Sequence, residues 1–460
     1  MKTKLFTLLV ATMFATQCLC VDRTNIDGIL YFLFETELTA RVTYDYSQAT
    51  GKVYPFYKGD IKIPEFVNYN GKTYSVTEIG YQAFYYNETK YIPYGEETIT
   101  SISIPNSITS IGDYAFENCF KLTSIIIPNS VTSIGTSVII RCSGLVNISA
   151  PATIFDETEE QNWSLYTKIA QTITVTSGKL TENAFAVINR NYKTLKTLDI
   201  ENAENTELSD EAVKGFYNLE TIKLPKNLTK INYMAMAECM ALKEVNIPSS
   251  VTEIGDRAFE NCRSMKTLTF GGGSAMKTAE ESQLQRIGNW SFYNCHELQN
   301  LEIPEGVTEI GLAAFYGCTY LQNLTLPSTL RTIGDNTFAK CEKLAGLRCA
   351  AEVPPTIDAK TFEDVDRTIP VIVPQGSLKA YKEDMYWNEF INLKEETTDA
   401  KEIPAEFENV SVTNGTVIYS GNEPFSIHNL NGQDVTNLNG SLNGIHVITI
   451  GTASQNMLIK

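Results

Sequence analysis

The sequence is dominated by a short repeat, and this repeat restricts what the chain can fold into. Ile104-Pro105 recurs at Ile127-Pro128 and at Ala150-Pro151, a period of 23 residues. The same pair, with Ile or Leu before the Pro, returns at Leu224-Pro225, Ile247-Pro248, Ile303-Pro304 and Leu326-Pro327. A unit of this length has one apolar side and no partner within itself, so it is stable only when stacked on its neighbours. The repeat therefore predicts a solenoid, not a set of globular domains.

Each period of the repeat is interpreted as a strand, a turn and a return arm. Lys243 to Ile247 alternates polar and apolar residues, as a half-buried strand does, and Pro248 ends the strand because Pro cannot donate to a ladder. An Ile-Gly pair follows, and we interpret its Gly as a turn residue with positive φ. The apolar residue five positions after the Ile and the Cys eight positions after it are expected to point inward.

The full repeat string is Ile-Pro-x-x-Val-Thr-x-Ile-Gly-x-x-Ala-Phe-x-x-Cys-x-x-Leu, as in Ile303 to Leu321. It resembles the BspA-like class of leucine-rich repeats over roughly residues 60–395. Gly28 to Tyr74 resembles the N-terminal cap of that class, and Pro374 to Phe390 its closing cap. The resemblance implies a secreted or surface protein with an interaction surface and no catalysis, and several members of the class are adhesins.

The expected fold is a β-rich α/β solenoid with a parallel sheet on its concave face. Roughly a dozen strands at the usual spacing would form this sheet. The return arms are expected to be short helical, 3-10 or turn segments, and a small C-terminal antiparallel β-sandwich is expected to follow. The predicted division is a signal peptide at 1–20, a hairpin-rich N-terminal cap at 21–78, the solenoid with its closing cap at 79–395, a linker at 396–406 and a C-terminal module at 407–460.

The first twenty residues have the pattern of a secretory signal. Lys2 and Lys4 precede a short apolar stretch, and small residues near Ala15 suit cleavage. The apolar stretch is too short to span a bilayer, and no later segment has the ~20 apolar residues of a spanning helix. We therefore expect a secreted protein or one at the outer cell surface after cleavage, with lipid anchoring as the alternative.

Residues 407–460 change in character and alternate as short strands separated by Asn-Gly turns, a strong signal for a small antiparallel β module. Asn414-Gly415 and the terminal Met457 to Lys460 resemble the C-terminal sorting domain of type IX secretion. His446 stands where that domain usually has Tyr, and Gln455 stands where a basic residue is expected. Sorting or surface anchoring through secretion machinery is one interpretation, and a plain terminal β-domain is the other.

The charge balance excludes several classes of function. The formal net charge of -17 argues against a nucleic-acid partner or an anionic membrane surface, because both require a basic face. Only 3 histidines are present, which leaves little room for a multi-His metal site. His296 follows Cys295, but that Cys belongs to the repeat, so a surface histidine is the simpler interpretation. We expect no enzyme, no cofactor and no metal.

Seven cysteines mark one position of the repeat. They are Cys119, Cys142, Cys239, Cys262, Cys295, Cys318 and Cys341. Free Cys is among the most buried residue types, which favours a ladder of buried core thiols. Neighbouring coils would also bring equivalent residues within the reach of a disulfide, so an occasional bridge is the alternative. Metal ligation has no support from His or Cys-x-x-Cys spacing.

The candidate binding residues lie at the outward strand positions and in one insertion. The outward residues are Thr174, Asp199, Lys223, Asn246, Thr269, Glu302, Thr325 and Arg348. The insertion after the first Ile-Gly pair carries Tyr85, Tyr86, Tyr91 and Tyr94. Solenoids bind partners on such extended faces, and Tyr provides much contact area at low entropy cost. The outward residues are equally typical of a solvated strand face, and the tyrosines of a cover over the first coil.

These features predict a protein that mediates protein-protein interaction at the cell surface. The expected activity is adhesion to host extracellular or plasma proteins or to other cells, with an extracellular protein or glycoprotein as ligand. The alternative is a glycan-binding or cell-envelope structural protein without a host ligand.

Overall fold

The structure is a computed structural model of the 460-residue chain. It describes residues 20–47, 52–54, 57–85, 99–155, 170–191, 193–271, 282–396, 410–413, 416–419, 425–428, 436, 444–450 and 453–459.

A 12-stranded parallel sheet, called the long sheet below, runs along the repeats. Its strands are, in order, Ser124–Ile126, Asn147–Ala150, Thr172–Val175, Thr197–Asp199, Thr221–Lys223, Glu244–Ile247, Thr267–Phe270, Asn300–Glu302, Asn323–Leu326, Gly346–Cys349, Pro370–Val373 and Asn392–Glu395. Buried and exposed residues alternate along each strand, so that Val245 is buried while Glu244 and Asn246 are exposed. The predicted parallel sheet is confirmed. Neighbouring strands lie about 4.8 Å apart in such a sheet, which sets the rise of each coil.

The sheet begins later than the repeat suggests. Ile99–Ser103 also has the strand pattern, but it pairs in parallel with Gly59–Lys62 as a separate 2-stranded sheet. A further 2-stranded antiparallel sheet joins Asp45–Ser47 to Lys52–Tyr54.

A second row of short parallel strands, which was not predicted from the sequence, runs through the Ile-Gly pairs. Six of these strands form one sheet: Glu207–Leu208, Lys230–Ile231, Glu253–Ile254, Arg286–Ile287, Glu309–Ile310 and Thr332–Ile333. Two earlier strands, Ser110–Ile111 and Ser133–Ile134, extend the sheet of the N-terminal cap. The Ile-Gly pairs therefore end short strands, and this row is called the short-strand ladder below.

The prediction that the Gly of the Ile-Gly pair takes positive φ is wrong. None of these glycines is among the residues with positive φ in the described chain. The reason for glycine is the close approach of neighbouring coils. A Cβ at Gly311 would lie 2.6 Å from the backbone nitrogen of Asn289, a distance that real Cβ atoms do not adopt. The absence of a side chain, and not an unusual dihedral, is what the position requires.

In the copy where Asn232 replaces the Gly, the equivalent backbone hydrogen bond between coils is longer. Gly255 donates its N–H to the carbonyl of Ile231 at 2.7 Å, and Gly311 donates to Ile287 at 2.8 Å. Asn232, which stands at the equivalent position, donates to Leu208 at 3.1 Å. The longer contact leaves more room beside the backbone of the previous coil.

The return arms are mostly paired turns. Two residues in most arms have left-handed backbone, such as Arg257 at φ 58 and Asn261 at φ 61. The described residues contain two α-helices, α1 at Glu182–Asn191 and α2 at Leu378–Glu383, and two 3-10 helices at Ala152–Phe155 and Trp387–Glu389. Helix α1 replaces the turns of one arm. Short helical return arms were expected, but no helix was predicted at this position. Thr181 accepts the backbone N–H of Ala184 through its hydroxyl at 3.1 Å, as an N-cap residue does.

The interior of the solenoid contains a column of stacked phenylalanine rings. Phe259, Phe292, Phe315, Phe338 and Phe362 stack in order, with centroids 4.9 to 5.6 Å apart. All five side chains are buried. Each ring comes from the return arm of its own coil, so the column exists only because the coils are in register.

Two caps close the ends of this core. The N-terminal cap contains five strands: Cys20–Ile26, Ile29–Phe34, Thr39–Val42, Phe66–Tyr69 and Lys72–Ile79. Neighbouring strands pair antiparallel, except that Thr39–Val42 and Lys72–Ile79 pair in parallel. Asn70 and Gly71 both have positive φ in the tight turn before Lys72–Ile79, as their dipeptide predicts. At the other end, the indole of Trp387 covers Phe362 edge-on and donates to the carbonyl of Pro355 at 2.8 Å.

The described strands of the C-terminal module are antiparallel. Val410–Thr413 pairs with Thr416–Tyr419, and Phe425–His428 pairs with Gly444–Ile450, which in turn pairs with Ala453–Ile459. The sandwich arrangement of these strands stays a prediction, as do the domain boundaries and the sorting role.

Candidate functional site

The outward face of the long sheet carries the eight predicted binding residues of the strands. Lys223, Asn246, Thr269, Glu302 and Arg348 are exposed, and Thr174, Asp199 and Thr325 are half-buried. The strands bring several of them into direct register, since Asp199 is opposite Lys223, Asn246 opposite Thr269 and Thr325 opposite Arg348. From Thr174 to Arg348 the face therefore carries polar side chains one strand spacing apart.

Several of these residues contact each other across the strands. Lys223 Nζ lies 2.7 Å from Asp199 Oδ2, and this hydrogen bond raises the pKa of Lys223 above its usual value. The Thr269 hydroxyl donates to Asn246 Oδ1 at 3.0 Å. Such contacts hold the side chains in defined positions, which lowers the entropy lost when a partner binds.

The two ends of the face differ in charge. Its first strands present hydroxyl and amide groups, and the outward residues there are Ser124, Ile126, Asn147, Ser149, Thr172, Thr174 and Thr197. Ile126, which is 63% exposed, adds a large apolar side chain to this end of the face. From Asp199 onward the outward positions include charged side chains, and Arg348 forms an ion pair with Glu396 at the end of the sheet.

Of the four tyrosines in the insertion, Tyr85 alone lies within the described part of the chain. Tyr85 is half-buried, and Tyr86, Tyr91 and Tyr94 lie outside the described residues. The role of the four tyrosines in binding stays a prediction.

The seven repeat cysteines lie in one buried row. Each is a free thiol, and each Sγ lies 3.0 to 3.6 Å from a carbonyl oxygen in the return arm of the preceding coil. Burial raises the pKa of the Cys318 thiol to about 12, and it also raises the pKa of Cys295 and Cys341. Cys349 is an eighth buried free thiol, 3.1 Å from the hydroxyl of Tyr381. Thiols held neutral in this way are poor nucleophiles.

The thiol of Cys295 points into the core, toward the carbonyl of Phe259 at 3.4 Å. The Cys295 thiol therefore points away from the outer side of the arm and is not available to its neighbour His296 as a nucleophile. Among the described residues, no group of three or more His, Cys, Asp and Glu side chains is placed to hold a metal ion. The described helices also include none that is both long and apolar enough to cross a membrane.

A row of aromatic and basic side chains on the return arms was missed by the sequence analysis. Tyr293 and Tyr316 stack with centroids 4.9 Å apart, and the Lys340 ammonium lies 5.4 Å from the Tyr316 ring centroid. Arg257 lies over Trp290 at 4.7 Å, and Lys343 lies 3.5 Å from the exposed ring of Tyr320. The cations cover ring faces, so this row is a packed surface and not an open platform for stacking.

A cleft beside helix α1 was also missed. Its volume is about 450 Å³, and the helix and the return arm that follows the short strand Glu207–Leu208 form its walls. The spacing of Ala184, Phe185 and Ile188 after the N-cap Thr181 was the available signal for this helix.

The family assignment rests on the repeated coil. A family model described as the BspA type leucine rich repeat region matches residues 77–189, 169–278 and 274–394, with 6 copies. These ranges include more than half of the chain. The chain belongs to this family. The leucine-rich repeat solenoid is typically a non-enzymatic scaffold, and the BspA-type repeats imply a surface-type scaffold for protein interaction.

Solved structures of bacterial leucine-rich repeat proteins are similar to the BspA-type chain. A leucine-rich repeat protein from Bacteroides ovatus has 21% identity and a TM-score of 0.31, over 78% of this chain and 80% of its own. A leucine rich cell surface protein from Faecalibacterium prausnitzii has 23% identity and a TM-score of 0.27, over 79% of this chain and 97% of its own. The T. pallidum leucine-rich repeat protein has 17% identity and a TM-score of 0.26, over 70% and 91%. No curated protein matches the chain in sequence.

Proposed function

We propose that this BspA-type protein is secreted or displayed at the cell surface and adheres to an extracellular protein or glycoprotein through the outward face of its long sheet. The observation that carries the proposal is the run of outward polar residues on eight adjacent strands of the long sheet, from Thr174 to Arg348. Solenoids of stacked repeats use such extended faces to bind large partners. Cross-strand contacts such as Lys223 with Asp199 keep part of the face in a fixed arrangement before binding.

The binding face is tested with two matched variants. Thr269→Arg places a long charged side chain in the middle of the face, whereas Thr332→Arg makes the same change at an exposed residue of the short-strand ladder. The probes are immobilised extracellular-matrix and plasma glycoproteins, measured with the chain from residue 21 onward. We expect Thr269→Arg to weaken binding at least tenfold and Thr332→Arg to leave it unchanged. No binding of the parent chain at micromolar concentration would contradict adhesion.

A glycan ligand is the second candidate. The hydroxyl and amide groups around Ser149, Thr172 and Thr174 favour it, because an uncharged polyhydroxyl chain matches an uncharged face rich in donors and acceptors. A glycan array decides between the two ligands. Retention of polysaccharide with no binding to deglycosylated protein supports the glycan, and binding to the deglycosylated protein supports the protein ligand.

We also propose that residues 1–20 direct export and that residues 407–460 direct sorting or attachment at the surface. The support is the signal-like start, with its Lys2 and Lys4, and the antiparallel strands of the last segment. Deletion of 407–460 is expected to remove the protein from the cell surface or leave it in the periplasm. Unchanged display of the shortened chain, measured by surface labelling, would contradict the sorting role.

A further inference from the structure

The return arms form a hydrogen-bond ladder between coils. At alternate residues, the N–H groups of one arm donate to carbonyls of the next arm along the chain. Val213 donates to Ala235 at 2.7 Å, and Gly215 donates to Ala237 at 2.9 Å. The same pattern recurs in the later coils, where Phe292 donates to Ala314 at 2.7 Å. In each coil, one edge of the arm therefore presents N–H groups and the other presents carbonyl groups.

Helix α1 interrupts this ladder, because its backbone N–H groups from Phe185 onward are used within the helix. The carbonyls of Asp210, Ala212 and Lys214 occupy the positions that accept from the preceding arm in other coils. The Lys214 carbonyl accepts the side-chain amide of Asn189 at 3.1 Å, which replaces one rung. No backbone N–H group of the described residues donates to the carbonyls of Asp210 and Ala212. Two consecutive rungs of the ladder are therefore open.

The two residues that carry these carbonyls line a cleft. Asp210 and Ala212 line a space of about 450 Å³, opposite Phe185 and Ala186 of helix α1. This volume is within the usual range for ligand sites. Ala186 is exposed and has only a methyl group, so the helix leaves room for a chain to approach the arm. Tyr217, which is 51% exposed, stands at the cleft and provides an aromatic contact surface.

The charged groups around the cleft select the chemistry of its occupant. Four carboxylates line it, from Glu182, Asp210, Glu211 and Glu238, against two ammonium groups, from Lys193 and Lys214. Lys214 Nζ is paired with Glu211 at 2.7 Å, and this ion pair leaves the carboxylates of Glu182, Asp210 and Glu238 against the single ammonium group of Lys193. Open backbone carbonyls and an excess of carboxylates both require hydrogen-bond donors, and the carboxylates favour cationic ones.

We propose that this cleft binds an extended, basic segment of a partner protein. Alternate backbone N–H groups of the segment donate to the carbonyls of Asp210 and Ala212 and continue the return-arm ladder past the helix. Peptides add to exposed backbone edges of folded domains in this way. Lys or Arg side chains of the segment face Glu182 and Glu238. The cleft is formed by return arms and not by the outward sheet face, so this inference does not rest on the proposed adhesion.

An array of immobilised nine-residue peptides with varied numbers of Lys and Arg residues is the probe, incubated with the chain from residue 21 onward. We expect retention to increase with Lys and Arg content. Ala186→Trp fills the cleft and is expected to reduce binding of the best peptide at least tenfold. The matched control is Ala380→Trp, which adds the same side chain at an exposed position of helix α2. The sheet-face variant Thr269→Arg is expected to bind the peptide like the parent chain.

The backbone contacts are tested with N-methylated versions of the best peptide. Methylation of alternate amides in one register removes the donors and is expected to weaken binding at least tenfold, whereas the other register is expected to have no effect. Glu182→Gln leaves the cleft open and provides an independent test in case Ala186→Trp does not fold. It is expected to weaken peptide binding and to reduce the salt dependence of that binding. The proposal is overturned if no basic peptide is retained, if Ala186→Trp binds as well as the parent, or if neither methylation register matters.

Discussion

The rings of Phe292 and Phe315 stack with their centroids 5.0 Å apart and their planes within 2° of parallel. These residues are one repeat apart, so their spacing reports the rise of one coil. The rise is close to the ~4.8 Å separation of strands in a sheet, which allows one geometry to satisfy both the backbone and the core. The same register brings the cysteine row, the short-strand ladder and the long sheet into alignment.

Truncation of a ring within this column is expected to be costly. Phe292→Ala removes contacts with both Phe259 and Phe315 and leaves a cavity that rigid backbone ladders cannot close. The free energy of unfolding, measured by urea denaturation, should fall by about 3–5 kcal/mol. Tyr316→Ala is the control, because its ring stacks on Tyr293 at the surface and is half-buried. An equal loss for the two variants would contradict a dominant role for the buried column.

Addition of one methyl group at an Ile-Gly position is expected to separate two coils. The Cβ of Gly311→Ala would lie 2.6 Å from the backbone nitrogen of Asn289, so the coils must shift. We expect a loss of about 1–3 kcal/mol in the free energy of unfolding, as for other overpacked sites. Gly346→Ala is the matched control, since its Cβ would meet nothing nearer than Asn323 Oδ1 at 3.6 Å. Equal stability of the two variants would argue against close approach as the reason for glycine.

The buried thiols are expected to be unreactive in the folded protein. Burial raises the pKa of Cys318 to about 12, so almost no thiolate forms near neutral pH, and the reagent has no access. A chain starting at residue 21 should show no reaction with an aromatic disulfide reagent until denaturant is added, after which all eight thiols should react. Rapid reaction of any of the eight under native conditions would contradict this burial.

The carboxyl group of Asp335 is expected to make stability dependent on pH. Burial, and then the neighbouring Asp358, raise the pKa of Asp335 above its usual value. The folded state therefore holds the proton more tightly than the unfolded state, and this contribution to stability is lost as pH rises through the raised pKa. Asp335→Asn cannot ionise, so its melting temperature should exceed that of the parent at about pH 7 and match it at about pH 3.

An Asn already occupies the position equivalent to Asp335 in another coil. Asn289 stands at the equivalent position of an earlier coil, where its side-chain oxygen accepts the backbone N–H of Leu312 at 2.8 Å. A parent chain more stable than Asp335→Asn at neutral pH would show that the charged carboxylate is favourable where it stands.

Much of the fold could be predicted from residues such as Val245 and Phe292, because their alternation and period specify one buried side of a coil. The outward positions of Thr174 to Arg348 followed from the same alternation. The role of the Ile-Gly pair could not be predicted, because a glycine required by close approach looks the same in sequence as a glycine required by positive φ. The position of helix α1 was not predicted, because it lies in a copy where the repeat has degenerated.

The sequence by itself determined that the chain is a solenoid of BspA-type repeats, because apolar residues with a period of 23 can be buried together only by stacking the coils. It also determined which side of each strand faces outward. Only the tertiary structure decided where coils approach closely enough to exclude a Cβ, and where the return-arm ladder is left open at Asp210 and Ala212. Both depend on distances between backbones that are at least one coil apart, and no local pattern of residues specifies them.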